Sequence, residues 1–213
     1  MPDNHPHNRS ENMTDRDKVL ASVRKALAPL PSRADYPEWA PELPVARHAR
    51  GITDIEAIFR QRLEAVHGVF LDGFDAIPAF LRGHGADTGV VDPVLVPRLG
   101  SALDGFTVET AFDRARPDDF AFGITRAAGA IAESGTIVLK DAVVPSRLAA
   151  LAPWVHIAVV ERATLLSTIP EAVTAFDDDP SIIFVTGPSK TADIEGILIE
   201  GVHGPGVQAC CLV

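Results

Sequence analysis

The sequence predicts an α/β fold, in which a sheet of parallel or mixed strands carries helices on its faces. In the first half of the chain, segments with helical periodicity alternate with short apolar strands. The second half is richer in strand-like runs that end in glycine, proline or hydroxyl residues. The chain has 213 residues, of which 46% are hydrophobic and 23% charged, so its composition is globular and its length suits one substantial core.

Three regions are predicted along the chain. Residues 1–14 are polar and lack any period, which predicts a disordered tail. Residues 15–50 combine an N-terminal helix, at 15–28, with a proline-rich connector that stops it. The remaining residues, 51–213, contain the alternating elements and form the main domain.

Apolar periodicity predicts the elements of the main domain. Thr53 is the expected N-cap of its first helix, with Glu56 as the partner in a capping box. The predicted helices cover residues 53–66, 74–83, 145–151 and 165–176. The predicted strands cover residues 69–71, 88–91, 127–132, 136–140, 154–161, 182–186, 197–202 and 207–213.

Charge and cysteine content exclude several function classes. The formal net charge of -10 argues against non-specific binding to nucleic acid or to an anionic membrane. The sequence shows no apolar run of the roughly 20 residues that span a bilayer and no secretory signal, so we expect a cytoplasmic protein. Cys210 and Cys211, the only two cysteines, lie in an apolar strand and are expected to be buried thiols. Two cysteines cannot supply the four thiolates of an iron–sulfur cluster.

A polar turn after an apolar strand is the most informative motif. The run T-G-P-S-K-T begins at Thr186, and Gly187 permits a positive φ. The hydroxyls of Thr186, Ser189 and Thr191 are close in sequence, and a helix starting near Ser189 would add free N–H groups for an anion, assisted by Lys190. The alternative is that Ser189 or Thr191 only caps that helix. In α/β folds, ligands bind outside the carboxyl ends of strands, which favours a ligand site here.

Two further motifs carry groups that can transfer protons. Glu133 stands at a strand bend before Ser134 and Thr136, where its carboxylate is a candidate general base or nucleophile, or part of a plain polar turn. His203 lies between glycines in G-V-H-G-P and is a candidate acid/base group or metal ligand, or a turn residue bonded to backbone. His156, inside an apolar strand, is expected to be a core histidine with satisfied hydrogen bonds. We predict no metal site.

Four segments together resemble the LUD (lactate utilisation) domain family. They are residues 123–136, 153–160, 186–196 and 201–205, with T-G-P-S-K-T-A-D-I-E and G-V-H-G-P as the most specific pair. The resemblance assigns the LUD domain to residues 51–213. It implies a mostly parallel sheet with helices on both faces, similar to NagB, ribose-5-phosphate isomerase and the CoA transferases.

The resemblance also implies a function. The chain has no cysteine cluster and is similar to the stand-alone LutC/YkgG-like branch, the third component of a system that oxidises L-lactate to pyruvate beside two iron–sulfur subunits. The first hypothesis is an accessory or ligand-binding subunit without a redox cofactor of its own, whose cleft holds a small carboxylate or phosphate. Glu133 and His203 would be its catalytic residues. The expected ligand-binding residues are Ser134, Thr136, Thr186, Gly187, Ser189, Thr191, Asp193 and Glu195.

Two other hypotheses stay open. Glu133 resembles the glutamate of the CoA-transferase turn, which would suit a free-standing acyl-CoA transferase-like or sugar-phosphate isomerase-like enzyme. The third hypothesis is an assembly protein, with the helix at 15–28 and the proline-rich connector as its docking arm. The sequence also leaves homo-oligomer formation open.

Overall fold

The computed structural model describes residues 14–29, 54–176, 179, 181–192 and 197–213. Residues 1–13 of the predicted tail at 1–14, residues 30–50 of the connector and the expected N-cap Thr53 lie outside these residues. The chain divides into two units, Met1–Leu43 and Pro44–Val213. Within the described residues, no helix is both long enough and apolar enough to cross a membrane.

The described part of the first unit is helix α1, Asp15–Leu27, which agrees with the predicted 15–28. Thr14 is its N-cap: the Thr14 side chain accepts a hydrogen bond from the Asp17 N–H, and the Asp17 side chain accepts one from the Thr14 N–H. Acidic residues in the first turn and basic residues in the last turn complement the helix dipole. Local sequence therefore specifies this helix.

The described part of the second unit has five further α-helices and twelve strands. The helices are α2 (Ile55–Ala65), α3 (Ile77–Gly83), α4 (Val96–Leu99), α5 (Arg147–Leu151) and α6 (Ile169–Ala175). The strands are β1 (Val69–Asp72), β2 (Thr88–Val91), β3 (Thr107–Glu109), β4 (Phe122–Arg126), β5 (Gly129–Ile131), β6 (Thr136–Lys140), β7 (Val155–Val160), β8 (Leu165–Leu166), β9 (Ile182–Val185), β10 (Lys190–Ala192), β11 (Leu198–Glu200) and β12 (Val207–Leu212). Asp54 caps α2, and its side chain accepts from the Ala57 N–H.

Six strands form a parallel sheet in the order β1-β12-β7-β4-β2-β3. The inner strands β7 and β12 are almost completely buried, as expected where both faces of a sheet are covered, and each carries one buried polar residue, His156 or Gln208. The predicted α/β class is confirmed. Strand β4 lies near the centre of the sheet but was not predicted, because Gly123 and Thr125 interrupt its apolar run. Gly123 is needed there, since a Cβ atom would lie less than 3.0 Å from the Ala149 carbonyl.

A second sheet of four strands has the order β8-β5-β6-β9. Strands β5 and β6 lie within the predicted strands at 127–132 and 136–140 and pair antiparallel, and β9 pairs antiparallel with β6. Strand β9 leads into the polar turn at Thr186, so this motif follows the second sheet and not the parallel one. Strands β10 and β11 form a separate antiparallel hairpin. A helix near Ser189, the condition for its free N–H groups to bind an anion, is not formed: residues 190–192 are extended and pair with 198–200.

The two faces of the parallel sheet are buried in different ways. One face packs against α3 and α4, through residues such as Ile77, Leu81 and Leu99. The other face packs against α2 and the second sheet, through residues such as Phe59 and Ile137. This second interface also buries polar side chains that border the candidate site.

The two cysteines are free and fully buried in β12. Burial raises the pKa of the Cys210 thiol well above its usual range, and it raises that of Cys211 to about 12. Both thiols are therefore protonated and poorly nucleophilic at neutral pH, as expected for buried structural cysteines.

Candidate functional site

The polar turn at residues 186–189 packs closely on the end of helix α2. Gly187 has a φ of 77°, which only glycine adopts without strain. A Cβ atom at this position would also lie less than 3.0 Å from the carbonyl oxygen of Val66, the C-cap of α2. Two independent requirements thus select glycine here, and together they fix the path of the turn.

A chain of hydroxyl groups joins this turn to the Glu-Ser-Gly-Thr segment. The Ser134 Oγ atom lies 2.7 Å from Thr136 Oγ1, which lies 2.8 Å from Thr186 Oγ1. The antiparallel pairing of β6 with β9 sets Ile137 opposite Val185, and so brings Thr136 beside Thr186. Two motifs that are fifty residues apart in sequence therefore share one hydrogen-bonded chain.

Backbone hydrogen bonds tie the polar turn to the Gly-Val-His-Gly-Pro segment. The Ser189 N–H donates to the Pro205 carbonyl at 2.9 Å, and the Gly201 N–H donates to the Ser189 carbonyl at 2.8 Å. Between the two turns lies a cleft of about 370 Å³, within the size range of small-molecule sites. Its walls are formed by Leu151, Phe184, Val185, Thr186, Gly187, Pro188, Ser189, His203, Gly204, Pro205 and Gln208.

The cleft does not lie where the parallel sheet alone would put a ligand. The polar turn follows the carboxyl end of β9, as expected, but β9 belongs to the second sheet. His203, Gly204 and Pro205 precede β12, so relative to the parallel sheet the cleft lies at the amino ends of the strands. The general rule for ligand position in open α/β sheets therefore does not locate this cleft.

A buried polar network forms the floor of the cleft. Gln208 lines the cleft, and its Oε1 atom lies 2.9 Å from His156 Nδ1. The His156 Nε2 atom lies 2.9 Å from Thr125 Oγ1. Burial lowers the pKa of His156 to about 4, so the imidazole is neutral at pH 7. His156 is a fully buried core histidine with satisfied hydrogen bonds, as predicted.

Neutrality of His156 fixes the direction of the hydrogen bonds in this network. The Gln208 amide nitrogen donates to the Ala209 carbonyl at 3.1 Å, which leaves Oε1 as an acceptor. His156 Nδ1–H must therefore donate to Gln208, and its unprotonated Nε2 accepts from the Thr125 hydroxyl. A reorientation of Gln208 by a ligand would change the hydrogen bonds of the other two residues.

Glu133 is engaged in a structural contact. Its Oε1 atom accepts from the backbone N–H of Ile169, the first residue of α6, at 2.6 Å. The Glu133 N–H donates to the Ser167 carbonyl at 3.1 Å. A carboxylate is favourable at this position because the free N–H groups of a helix N-terminus carry partial positive charge. The carboxylate thus holds the start of α6 against the bend before Ser134.

The other predicted site residues do not share one location. His203 is exposed on the rim of the cleft. Thr191 lies on β10, opposite Ile199 in the hairpin. Asp193 and Glu195 lie outside the described residues. Within the described ranges, no group of three or more His, Cys, Asp or Glu side chains is placed to hold a metal ion.

A cluster of three charged or titratable residues beside the cleft has no local sequence signal. Glu200 accepts from His67 Nδ1 at 2.7 Å and pairs with Lys190 Nζ at 3.3 Å. The hydrogen bond from His67, followed by that from Lys190, lowers the pKa of the Glu200 carboxyl despite partial burial. Lys190 also donates to the Val66 carbonyl at 3.2 Å. The cluster connects the β10–β11 hairpin to the end of α2. Its contacts could not be predicted from sequence, because His67 is far from Lys190 and Glu200 along the chain.

Several curated proteins named "Lactate utilization protein C" are similar to this chain. The protein from Oceanobacillus iheyensis is 42% identical over 83 residues, which are 35% of this chain and 36% of that protein. The protein from Bacillus licheniformis is 38% identical over 106 residues, which are 46% and 44% of the two chains. The Bacillus subtilis protein is 37% identical over 99 residues, 43% and 41%. Each alignment therefore spans less than half the length of the relative.

A solved structure and a family model complete the comparison. The crystal structure of a DUF162 family protein from Deinococcus radiodurans superposes with a TM-score of 0.55 at 23% identity, covering 75% of this chain and 96% of that one. This likeness supports the α/β fold alone. The LUD domain model matches residues 102–213, more than half of the chain, and this range includes the two turns that line the cleft and the Glu-Ser-Gly-Thr segment bonded to one of them. The chain belongs to the LUD domain family.

Proposed function

We propose that the chain is a ligand-binding component of a lactate utilisation system in the cytoplasm. In this proposal it works beside two iron–sulfur subunits that carry the electrons, while its cleft binds a small carboxylate. The name shared by the curated relatives supports the lactate connection. The LUD model matches a range that contains the segments lining the cleft, which supports a role of this part of the chain in the function of the family.

The observation that carries the proposal is the meeting of three distant segments, of which two line one cleft and the third is hydrogen-bonded to its wall. Thr186 and Ser189 belong to the polar turn, Thr136 belongs to the Glu-Ser-Gly-Thr segment, and His203 belongs to the third segment. Hydroxyl groups can donate to a carboxylate and can also accept from the hydroxyl of a 2-hydroxy acid. A site built from such groups favours ligands that carry matching polar atoms.

Glu133 has a positioning role in this proposal. Its carboxylate holds the first N–H group of α6 and thereby fixes the bend that presents Ser134 to Thr136. A transferase-like mechanism would require this carboxylate to leave Ile169 and become a nucleophile. We therefore assign ligand contact to the hydroxyl groups and His203, and we do not assign a covalent step to Glu133.

Binding of L-lactate to the purified chain tests the ligand part of the proposal. The variant Thr186→Val removes one hydroxyl from the cleft wall and keeps the shape of the side chain. Loss of a hydrogen bond to a charged ligand is worth about 1.5–3 kcal/mol, so we expect L-lactate binding to weaken roughly 10- to 150-fold by calorimetry. Thr174→Val on α6 is the matched control, because its hydroxyl bonds only the Pro170 carbonyl. Equal affinity of the Thr186→Val variant and wild type would contradict the assignment.

A pull-down tests the partner part separately. The tagged chain is recovered from cells growing on L-lactate, and the co-purifying proteins are identified by mass spectrometry. We expect two cysteine-rich iron–sulfur proteins to co-purify. Recovery of the chain alone, under conditions in which the iron–sulfur proteins are expressed, would contradict the proposed partnership.

A further inference from the structure

A second cleft adjoins the candidate site. It has a volume of about 450 Å³ and shares Leu151, His203 and Gly204 with the first cleft. The other residues of its wall are Pro117, Asp118, Phe120, Ala121, Ala152, Trp154, Gly201 and Val202. Because the His203–Gly204 turn borders both clefts, the two clefts lie next to each other at this turn.

The indole of Trp154 is the largest apolar group in the second cleft, and it is 54% exposed. Its backbone is fixed on both sides: the Trp154 carbonyl accepts from the Val207 N–H at 3.0 Å, and the Val155 N–H donates to the Ala121 carbonyl at 3.0 Å. Trp154 therefore stands at the amino end of the central strand β7, on the rigid part of the sheet.

Two glycines pack directly against the benzo ring of this indole. A Cβ atom on Gly201 or on Gly206 would lie less than 3.0 Å from its carbon atoms. The ring therefore rests on bare backbone, and a side chain at either position would displace it. A large aromatic ring that is fixed from one side and open on the other is the arrangement that stacks with planar ligands.

We propose that Trp154 is a stacking platform for the heteroaromatic ring of a purine nucleotide. The inference rests on the proposed function in one respect, because the anionic end of the same ligand would occupy the hydroxyl-lined turn at Thr186 and Ser189. The orientation follows from charge: Asp118 lines the second cleft, where its carboxylate repels a phosphate but accepts hydrogen bonds from an exocyclic amino group. The purine therefore occupies the second cleft and the phosphate the first.

Tryptophan emission reports directly on the platform. The chain has two tryptophans, and Trp39→Phe leaves Trp154 as the only one. We expect adenosine 5′-monophosphate to quench Trp154 emission in a saturable manner. Inorganic phosphate should compete for the turn but leave the emission unchanged, because it has no ring to stack.

Substitution of the platform tests the energetic contribution of stacking. Base–aromatic stacking energies correspond to a loss of about 5- to 150-fold in affinity on alanine substitution, so Trp154→Ala should weaken nucleotide binding by that factor in calorimetry. Trp154→Phe keeps a ring and should lose less. Val173→Ala is the matched control, since Val173 on α6 is equally exposed at 54% and is not part of either cleft wall.

Three results would overturn the platform: no nucleotide binding by the wild type, unchanged affinity in Trp154→Ala, or emission that responds to protein concentration and not to nucleotide. The last result would indicate that a second copy of the chain covers the indole. These failures are distinguishable from failure of the proposed function, because L-lactate binding and its sensitivity to Thr186→Val are measured without the nucleotide.

Discussion

The substitution Gly187→Ala tests how the polar turn is held in place. Alanine at a φ of 77° costs about 1–2 kcal/mol, because its Cβ atom crowds the following carbonyl. Here the added Cβ would also lie less than 3.0 Å from the Val66 oxygen, well inside the separation of about 3.5 Å at which ordinary contacts begin. Relief of such overpacking costs about 1–3 kcal/mol more. We therefore expect a total destabilisation of about 2–5 kcal/mol.

Gly85→Ala provides the control that separates these two contributions. Gly85 has a φ of 62°, close to that of Gly187, but no atom lies within 4 Å of the position its Cβ would take. This variant should lose only the conformational cost of about 1–2 kcal/mol. Urea unfolding, followed by circular dichroism, measures both variants. Equal losses of stability would refute the argument that Val66 fixes the turn.

The same two variants also separate an effect on folding stability from an effect on ligand binding. A turn forced away from Val66 carries Thr186 and Ser189 with it, so Gly187→Ala should also weaken L-lactate binding in the fraction that remains folded. Gly85→Ala should leave binding unchanged. Normal binding by Gly187→Ala would show that the exact path of the turn does not matter to the cleft.

Three other predictions follow from buried or bonded groups. The pKa of His156 is about 4 in the folded chain against an ordinary 6.5, so between these pH values the unfolded chain binds a proton that the folded chain excludes. About 3 kcal/mol of stability should therefore be lost as pH falls from 6.5 to 4. In a urea-denaturation pH profile, His156→Gln should flatten this part of the curve. Glu133→Ala should cost about 1–2 kcal/mol through the lost bond to Ile169, whereas Glu133→Gln, which keeps an acceptor oxygen, should cost less than about 1 kcal/mol; equal losses would argue for a role of the charge itself. Cys210 and Cys211 should resist iodoacetamide in the folded chain and react in urea, and rapid alkylation of the native protein would contradict their burial.

Much of the fold could be predicted where local pattern and tertiary environment agree. Strands β7 and β12 are apolar apart from His156 and Gln208, and helix α2 has a clear apolar face. Strand β4 could not be found in this way, because Gly123 is required by a carbonyl of a helix that is distant in sequence. The extended conformation of residues 190–192 also depends on a partner strand, since the sequence after Ser189 is compatible with a helix start.

The candidate site could be predicted in part for the same reason. Hydroxyl-rich turns and glycines mark Thr186, Gly187 and Ser189 from local sequence alone. Gln208 has no such mark, because it becomes part of the cleft only through its bond to His156 on a neighbouring strand. The sequence indicated the Glu133 carboxylate as a candidate functional group. Its hydrogen bond to the first residue of α6 could not be predicted, because it depends on how the second sheet packs.

Reconstituted lactate oxidation tests the central claim most directly. The measurement is the rate of L-lactate-dependent dye reduction by the two iron–sulfur proteins, with and without this chain. We predict that the wild-type chain and the control variant Thr174→Val support the reaction, and that Thr186→Val lowers the rate at subsaturating L-lactate. A rate that is independent of the chain, or equal with Thr186→Val, would contradict the assignment of this cleft to lactate utilisation.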